Sequence, residues 1–292
     1  MLKFAPIVLL ALLLFHGCSV LGLEPSYEER TSYVVNQFPN NDSTTDTLLT
    51  CISYNIQCGF PANMSPWTAS DIGATKQHIQ ALAQHIRSLN PDIVCLQEVA
   101  RNRSNMEVKN LLEELAKELN MNYAFGAHGY NDATGVTPVQ GEWGNAVLSR
   151  FTIESMENVE VERIDVWQRR SILSVIVKNG TKRMAVSSLH FIPTENSATQ
   201  SARYFSNSSS PFNQIPHIIG GDFNMGEVKE LEQIGLTDAT ATSIPGGSID
   251  KVFCSTTSFT VVKAGEHTKG FGDPTDTLSD HRAVFAVLLL TK

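Results

Sequence analysis

The sequence is short of positive charge. Its 292 residues include 22 Lys and Arg against 30 Asp and Glu, which gives a formal net charge of −8 at pH 7. Proteins that bind nucleic acid non-specifically use dense Lys and Arg to contact the phosphate backbone. The acidic balance therefore argues against that class of protein, although it leaves room for a locally basic groove.

Several common patterns are also absent. The sequence has no Cys-x-x-Cys pair and no His-Glu-x-x-His motif, the usual marks of a zinc site. It has no internal repeat of solenoid length. Beyond residue 15 no apolar run approaches the ~20 residues that cross a bilayer, so we predict no transmembrane segment. We expect a single globular domain and a monomer.

Residues 1–22 have the layout of a secretory signal peptide. Lys3 precedes the apolar run FAPIVLLALLLF, and small residues follow it up to Gly22. We therefore predict a secreted protein. Acylation at Cys18, as in a bacterial lipoprotein, is an alternative, but the residues before this cysteine fit that signal poorly.

The segment over residues 23–47 is polar, rich in Asn, Ser and Thr, and without periodicity, which predicts a loose leader. Residues 48–292 then form the predicted domain. The chain also contains N-x-S/T sequons, which are compatible with a glycoprotein. They begin at Asn41, Asn63, Asn102, Asn179 and Asn207.

Removal of the signal peptide leaves Cys51, Cys58, Cys95 and Cys254. This even number allows three disulfide pairings or none. Cys95 lies inside the apolar run DIVCLQE, where we expect a buried free thiol. Cys51 and Cys58 flank one predicted strand and are the better disulfide candidates, with their partners open.

Strands and helices alternate along the predicted domain, as judged from apolar runs and apolar spacing. The predicted strands cover residues 48–56, 92–99, 144–151, 170–179, 182–192, 215–223, 247–255, 259–264 and 281–290. The predicted helices cover residues 71–89 and 105–119, with Ile72, Ile79 and Leu82 on the apolar face of the first. Two strand-rich halves with helices between them predict an α/β sandwich of packed sheets.

Polar side chains recur where these strands end. They are Asn55, Glu98, Asn145, His190, Asp222, Asn224, Asp250, Asp280 and His281. Taken singly, an Asp or Asn after a strand is usually a turn residue. Acids and amides in apolar strands are costly unless they are compensated, and one divalent cation compensates several carboxylates. Oxygen ligands favour Mg²⁺ or Mn²⁺, whose natural chemistry is phosphoryl or phosphodiester hydrolysis.

Seven short segments carry these residues in a fixed order: SYNI, LQEV, GNAVLSR, LHF, GGDFN, IDKVF and SDHRAV. In this order they resemble the endonuclease/exonuclease/phosphatase superfamily, over residues 51–290. The resemblance implies an α/β fold, a four-layer sandwich of two packed mixed or antiparallel sheets flanked by helices. It also places the site at the edge where the strands of both sheets end.

The resemblance further implies a Mg²⁺ or Mn²⁺ site and a proton-transfer pair. Glu98 matches the main metal carboxylate, Asn55 lies beside it, and Asp280 supplies a second acidic contribution. His281 and Asp250 match a His–Asp pair. In such a pair the carboxylate sets the imidazole tautomer, so that His281 can take a proton from water or stabilise the charge of the phosphorane.

A second group is expected to handle the phosphate. Asn224 donates to a non-bridging oxygen, while Asp222 positions the nucleophile, protonates the leaving group or shares the metal. His190 matches a histidine on the leaving-group side. Arg170 is the candidate phosphate ligand, with Arg169 as the alternative after a one-residue shift.

Three further residues have expected roles near the ligand. Asn145 serves as a substrate contact or as part of the loop architecture. Gly220 and Gly221 are expected to let the backbone come close to the ligand.

These features predict a secreted phosphoesterase that uses Mg²⁺ or Mn²⁺ and hydrolyses a phosphodiester by in-line attack of water. A nuclease is slightly favoured over an enzyme acting on sphingomyelin, another phospholipid or a phosphoinositide. A lipid-directed enzyme would dock through an apolar rim over residues 59–67, with Phe60, Met64 and Trp67. A catalytically silent binding protein on the same fold is the alternative from another class. The groove of a nuclease would draw on Arg101, Arg103, Arg169, Arg170, Lys182 and Arg183.

Overall fold

Two β-sheets packed face to face form the centre of the protein. The computed structural model describes residues 31–38, 45–131, 141–163, 169–244, 247–267 and 278–291, and the predicted signal peptide lies outside these ranges. The strands are β1 (Ser32–Val35), β2 (Leu48–Asn55), β3 (Ile93–Arg101), β4 (Asn122–Asn131), β5 (Gly141–Ser149), β6 (Thr152–Arg163), β7 (Arg169–Asn179), β8 (Lys182–His190), β9 (His217–Asp222), β10 (Leu236–Asp238), β11 (Asp250–Ser255), β12 (Phe259–His267) and β13 (Ala283–Leu290). Within the described ranges one sheet has the order β1-β4-β5-β3-β2-β13-β12 and the other β10-β11-β9-β8-β7-β6.

One pair of neighbouring strands in each sheet is parallel, β2 with β3 and β8 with β9. The carboxyl ends of parallel strands lie at the same edge of a sheet. The register places Asn55 opposite Gln97, and His190 opposite Asp222. β11 runs antiparallel to β9 and begins at Asp250, also opposite Asp222. The strand ends that carry predicted site residues therefore meet at one edge of the fold.

Apolar side chains between the sheets include Val147 from the first sheet and Val175 and Ile218 from the second. The other face of each sheet is covered by helices. These are α1 (Lys76–Arg87) and α2 (Leu111–Leu119) on the first sheet, and α3 (Glu195–Ser206) and α4 (Lys229–Glu232) on the second. Central strands are thus buried on both faces, which explains their continuous apolar runs. The predicted α/β sandwich is confirmed.

Gly220 and Gly221 serve the packing of strands. A Cβ atom at Gly220 would lie 2.6 Å from the Cβ atom of Cys95 on the facing sheet. A Cβ atom at Gly221 would lie 2.5 Å from Cδ1 of Leu189 on the neighbouring strand. The space beside each glycine is therefore filled by protein, and the expectation that both admit a ligand is wrong.

Helix α1 begins later than predicted, at Lys76, where the Thr75 hydroxyl accepts a hydrogen bond from the backbone N–H of His78 at 3.1 Å. Such a cap satisfies one of the free donors of the first turn. Ile72 precedes the helix and is 51% exposed, so its place on the apolar face was wrongly predicted. Among the helices in the described ranges, none combines the length and apolar character needed to cross a membrane.

Some elements carry no clear apolar pattern and were not predicted. β4, β6, β10 and α3 belong to this group. β6 is an edge strand with charged and amide side chains, and α3 has few large apolar residues. β1 lies within the leader that was predicted to be loose, yet it pairs with β4 over residues 32–35.

The cysteines do not form the predicted disulfide. Cys51, Cys58, Cys95 and Cys254 are all buried free thiols. Burial raises the pKa of Cys95 to about 12, which keeps this thiol protonated and unreactive. The prediction of a free thiol at Cys95 is confirmed, whereas the choice of Cys51 and Cys58 as disulfide candidates was wrong.

One sequon is closed to glycosylation in the folded protein. Asn179 is fully buried, its Nδ2 atom donates to the backbone carbonyl of Asp46 at 2.7 Å, and its Oδ1 atom accepts from the backbone N–H of Asp46 at 2.8 Å. A glycan at this amide would break both bonds. Asn63, Asn102 and Asn207 are exposed, so the prediction of a glycoprotein still stands for them.

We predict that protonation of His217 destabilises the protein in acid. His217 is 4% exposed, contacts the Ser187 hydroxyl through Nε2 at 2.8 Å, and has a pKa lowered to about 3 by burial. Below its ordinary value of ~6.5 the unfolded chain binds a proton that the folded chain does not. Its contribution to stability is therefore present above that pH and is lost as the pH falls, by about 2 kcal/mol between pH 6.5 and pH 5.

Urea unfolding at pH 5, 6.5 and 7.5 measures this effect. Between pH 6.5 and pH 5 the free energy of unfolding should fall by about 2 kcal/mol less in the His217→Gln variant than in the wild type. Only the wild type has the titrating ring at this position. The same loss in both proteins would show that His217 does not contribute to the acid sensitivity.

Candidate active site at the edge of both sheets

Asp222, the last residue of β9, joins the two sheets at this edge. It is 1% exposed, and its Oδ2 atom accepts a hydrogen bond from Nδ2 of Asn55, at the end of β2, at 3.1 Å. Nε2 of His190 lies 3.5 Å and Nε2 of His281 lies 3.6 Å from the same oxygen. Four predicted site residues from separate elements are thus brought together.

Glu98 is directed into the site by a bulge in β3. The register with β5 shifts between Leu96 and Val99, and Glu98 has a φ of 51°. A bulge changes the direction of a side chain, and a positive φ is uncommon for a residue with a Cβ atom. Gln97 points inward and donates to the Ser188 hydroxyl at 3.1 Å, while Glu98 accepts from Nδ2 of Asn55 at 3.2 Å.

His281 and Asp250 form the predicted pair. Nδ1 of His281 lies 2.8 Å from Oδ2 of Asp250, which is 4% exposed. Burial alone lowers the pKa of His281, but the hydrogen bond to Asp250 and the charges of Asp250, Asp222 and Asp280 outweigh it and raise the pKa to about 9. The carboxylate holds Nδ1, so Nε2 is the nitrogen that faces the site.

Two residues that sequence reasoning missed hold the Asp280–His281 segment. The Ser279 hydroxyl donates to the backbone carbonyl of Asn55 at 2.7 Å and accepts from the N–H of His281 at 3.2 Å. The N–H of Asp280 donates to Oε1 of Gln57 at 3.2 Å. Both are buried polar residues: Ser279 is the first residue of SDHRAV, and Gln57 follows directly after SYNI. The search for polar groups at strand ends, extended by two positions, would have found them.

Asn224 and His190 lie on the opposite side of Asp222. Asn224 has a φ of 51°, and its Nδ2 atom donates to the backbone carbonyl of Phe191 at 3.0 Å, which leaves its second amide hydrogen available. His190 is 4% exposed, and its Nδ1 atom has no hydrogen-bond partner among the described residues. Burial, together with the charges of Arg170, His128 and His281, lowers the pKa of His190 well below its usual value. His190 is therefore neutral at pH 7.

Arg170 faces the site, whereas Arg169 does not share its face. Burial lowers the pKa of Arg170, and the charges of Glu98 and Asp222 act in the opposite direction, which places these carboxylates near its guanidinium. The guanidinium carbon lies 5.0 Å from the ring centroid of Trp143. Successive residues of a strand point to opposite faces, which favours Arg170 over Arg169 as the phosphate ligand.

Asn145 has an architectural role. It is fully buried, and its Nδ2 atom donates to the backbone carbonyl of Ser171 at 2.8 Å, which ties β5 in one sheet to β7 in the other. Of the two expected roles, the contacts favour the architectural one.

The acidic groups suit a hard divalent cation. Burial raises the pKa of Glu98, and the neighbouring Asp280 and Asp222 charges raise it further. Burial also raises the pKa of Asp222. The charges of His281 and Arg170 act in the opposite direction on Asp222 but do not offset its burial, and Mg²⁺ or Mn²⁺ would add positive charge through oxygen ligands. Ligand atoms of Asp222, Asp250 and His281 lie within 4.8 Å of one another, but Asp250 already holds His281.

Most of the candidate groove cations are engaged elsewhere. Arg103 is fully buried, Arg101 pairs with Glu142 at 2.7 Å, and Arg183 pairs with Glu154 at 2.7 Å. Lys182 begins β8, at the end opposite to His190. The segments 132–140 and 164–168, which connect β4 to β5 and β6 to β7, contain no Lys or Arg. Arg170 is the one candidate that the described residues place beside the site.

The segment over residues 59–67 does not form the predicted apolar rim. Phe60 is fully buried in the core, whereas Met64 is 38% and Trp67 39% exposed. Two separate exposed side chains are a small apolar surface.

Comparisons with known proteins agree with this arrangement. A profile of the Endonuclease/Exonuclease/phosphatase family matches residues 52–281. An endonuclease/exonuclease/phosphatase from Beutenbergia cavernae has a similar structure, with a TM-score of 0.65 and 19% identity over 84% of this chain and 72% of that chain. Mannosyl-6-phosphatase Bt3783 of Bacteroides thetaiotaomicron has a TM-score of 0.60 and 20% identity over 83% and 100% of the two chains.

A match to a curated protein is shorter. The Escherichia coli K12 protein described as Uncharacterized protein YbhP is 36% identical over 99 residues, which cover 32% of this chain and 36% of that protein. The match thus spans about a third of the relative's length. The fold is the one shared by the phosphoesterases and nucleases of this superfamily. The chain belongs to the endonuclease/exonuclease/phosphatase family, as the match over residues 52–281 shows.

We predict that Mg²⁺ or Mn²⁺ raises the thermal stability of the protein. An ion that binds only the folded state adds ~2.7 kcal/mol at a concentration of 100 Kd, which corresponds to a rise of about 5 °C or more in Tm for a domain of this size. Calorimetry with and without the ion measures the shift. Glu98→Gln should abolish most of it.

Glu118→Gln is the matched control, because Glu118 is on the surface of α2 and pairs with Arg87 at 3.5 Å. This variant should keep the full shift. A wild-type Tm that does not respond to either ion, or an unchanged shift in Glu98→Gln, would contradict the assignment.

Proposed function

We propose that the chain is a hydrolase of phosphoric diesters that depends on Mg²⁺ or Mn²⁺. The observation that carries the proposal is the group around Asp222. One buried carboxylate oxygen lies within 3.6 Å of Asn55, His190 and His281, beside the Glu98 carboxylate. These groups can orient a phosphate, move a proton and stabilise negative charge at one place.

Glu98, Asp280 and Asn55 would hold the ion, with Asp222 close by. When bound, the ion supplies Lewis-acid stabilisation of the negative charge on the phosphate oxygens. Asn55 already donates to both Glu98 and Asp222, so it sets the direction of both carboxylates.

The chain's own residues provide the proton path. Nε2 of His281 and Nε2 of His190 lie 3.6 Å and 3.5 Å from Oδ2 of Asp222, too far for tight hydrogen bonds. Both Nε2 atoms can therefore exchange a proton with a water or a phosphate oxygen that lies beside Asp222. Asp250 holds the other nitrogen of His281 and fixes the orientation of the ring.

Two further donors suit the phosphate itself. The second amide hydrogen of Asn224 is available for a non-bridging oxygen, since the first is donated to Phe191. Arg170 adds a positive charge that Trp143 holds in place.

The charges of the site favour a single diester over a polyanion. The charges of Asp222 and Asp280 raise the pKa of both Glu98 and Asp250, so a diester with one negative charge enters more easily than a monoester with two. Among the described residues, Arg170 is the one candidate groove cation beside the site that could bind the phosphates of a long strand. This weighs against the slight preference for a nuclease and towards a compact ester.

We also propose that the protein is exported, since residues 1–22 carry the features of a signal peptide. N-terminal sequencing of protein recovered from the medium of an expressing culture tests this. A start near residue 23 supports export, and a retained Met1 contradicts it.

We predict that His281→Asn lowers kcat for bis(p-nitrophenyl) phosphate by about 100-fold or more, because proton transfer by a positioned side chain contributes that much. His85→Asn is the matched control. His85 is on α1 and stacks on His267, which is not a predicted site residue, with ring centroids 4.2 Å apart. The His85→Asn variant should keep the kcat of the wild type. An unchanged kcat in His281→Asn would refute the mechanism.

We predict a shallow dependence of activity on salt. With one phosphate-binding cation, a plot of log kcat/KM against the logarithm of the salt concentration should have a slope no steeper than about −1. A nuclease groove with several phosphate contacts gives a slope of about −3 or steeper. Small diesters, DNA, RNA, sphingomyelin and phosphoinositides should be compared at 50 and 200 mM salt. A steep slope on DNA or RNA, with poor hydrolysis of small diesters, would establish a nuclease instead.

A further inference from the structure

Trp67 is an exposed aromatic residue whose backbone is held on both sides. Nη2 of Arg103 donates to the carbonyl of Pro66 at 2.7 Å. Nδ2 of Asn105 donates to the carbonyls of Pro66 at 3.1 Å and Thr68 at 3.2 Å. Arg103 is fully buried and Asn105 is 2% exposed, so buried polar groups fix this turn.

The indole ring is fixed as well. The guanidinium carbon of Arg103 lies 4.5 Å from the centroid of the Trp67 ring, and the Trp143 ring meets it edge-on with centroids 5.5 Å apart. The indole still remains 39% exposed. A large aromatic side chain is thus kept partly open to solvent in one orientation, which makes it a preorganised surface for a ligand.

A continuous set of rings connects Trp67 to the phosphate site. Trp143 is 8% exposed and contacts His190 with ring centroids 6.1 Å apart. Arg170, the candidate phosphate ligand, lies over the Trp143 ring at 5.0 Å. Trp67 is therefore two ring contacts from His190 and belongs to the same wall as the groups that face the phosphate.

We propose that Trp67 is a substrate-binding residue that stacks on a ring in the organic group esterified to the phosphate. This names the substrate class of the proposed phosphodiesterase and rests on that function for its phosphate site. The substrate is a compact diester in which a flat or apolar ring follows the phosphate, as in an aryl ester, a nucleoside or a sugar. A ring stacked on a fixed indole gains affinity at little cost in conformational entropy.

A membrane contact explains these observations less well. Phe60 in the same segment is buried, which leaves Met64 and Trp67 as its large exposed apolar residues. The residues that follow Trp67 are small or polar, and the segment 59–71 contains no Lys or Arg. A side chain that inserts into lipid also gains nothing from buried hydrogen bonds that fix its turn.

Binding of phosphinates tests the proposal without relying on turnover. Phosphinates carry one negative charge, as diesters do, and their organic groups are attached to phosphorus through carbon, so they have no ester bond to hydrolyse. Titration calorimetry in Mg²⁺ would compare methylphosphinates bearing a phenyl, benzyl or phenethyl group with butyl(methyl)phosphinate and dimethylphosphinate. The wild type should bind one or more ring-bearing compounds at least about 5-fold more tightly than either alkyl compound.

Variants test whether Trp67 causes the preference for ring-bearing phosphinates. Trp67→Ala should reduce the difference in affinity between ring-bearing and alkyl compounds to within about 2-fold. Trp67→Phe should keep part of this difference, because a smaller ring remains. Met64→Ala is the matched control, since Met64 is in the same segment and is 38% exposed, and it should keep the full preference. Thermal unfolding of each variant confirms that it is folded.

The outcomes separate this inference from the proposed function. Equal binding of ring and alkyl compounds by the wild type, or a preference that survives in Trp67→Ala, overturns the role of Trp67 even if diesters are hydrolysed. A Trp67→Ala protein that loses binding only to sphingomyelin–phosphatidylcholine vesicles would make Trp67 a membrane contact instead. A ring preference without hydrolysis would support the subsite and contradict the catalytic proposal.

Discussion

The parallel pairing of two strands in each sheet is the constraint on which the site depends. β2 with β3 and β8 with β9 send their carboxyl ends to the same edge, and the glycine at position 220 lets the sheets approach closely there. The hydrogen bond from Asn55 to Asp222 then joins the two sheets. Residues almost 170 positions apart in sequence therefore share one site without any long loop to connect them.

This arrangement concentrates buried negative charge that the fold alone does not compensate. Burial raises the pKa of Glu98, Asp222 and Asp250, so each of these carboxylates lowers the stability of the folded state when it is ionised. The bulge that turns Glu98 inward adds a backbone conformation that glycine adopts more easily. Such costs are typical of functional sites, where a bound cation and substrate recover the energy.

Much of the fold and of the candidate site could be predicted from the sequence, because buried central strands and the polar residues at their ends leave a strong pattern. The strand predicted over 92–99 and found at Ile93–Arg101, and the residues Asp222 and His281, are clear examples. The edge strand β6 was not accessible, because a strand with one solvated side shows mixed polarity. Nor does a sequence reveal that Arg103 is buried beneath Trp67, since an arginine in a loop is usually exposed. The preference for a compact ester over a nuclease rests on such contacts, which the sequence alone does not show.

The free thiols have a consequence for the order of folding. Cys51, Cys95 and Cys254 belong to one apolar cluster between the sheets. Before the sheets dock, nothing separates these thiols from one another or from an oxidant. Any disulfide formed at that stage would have to be accommodated in a core packed around free thiols. In an oxidising medium, the docking of the two sheets must therefore be faster than thiol oxidation, and the yield of active protein is set by that competition of rates.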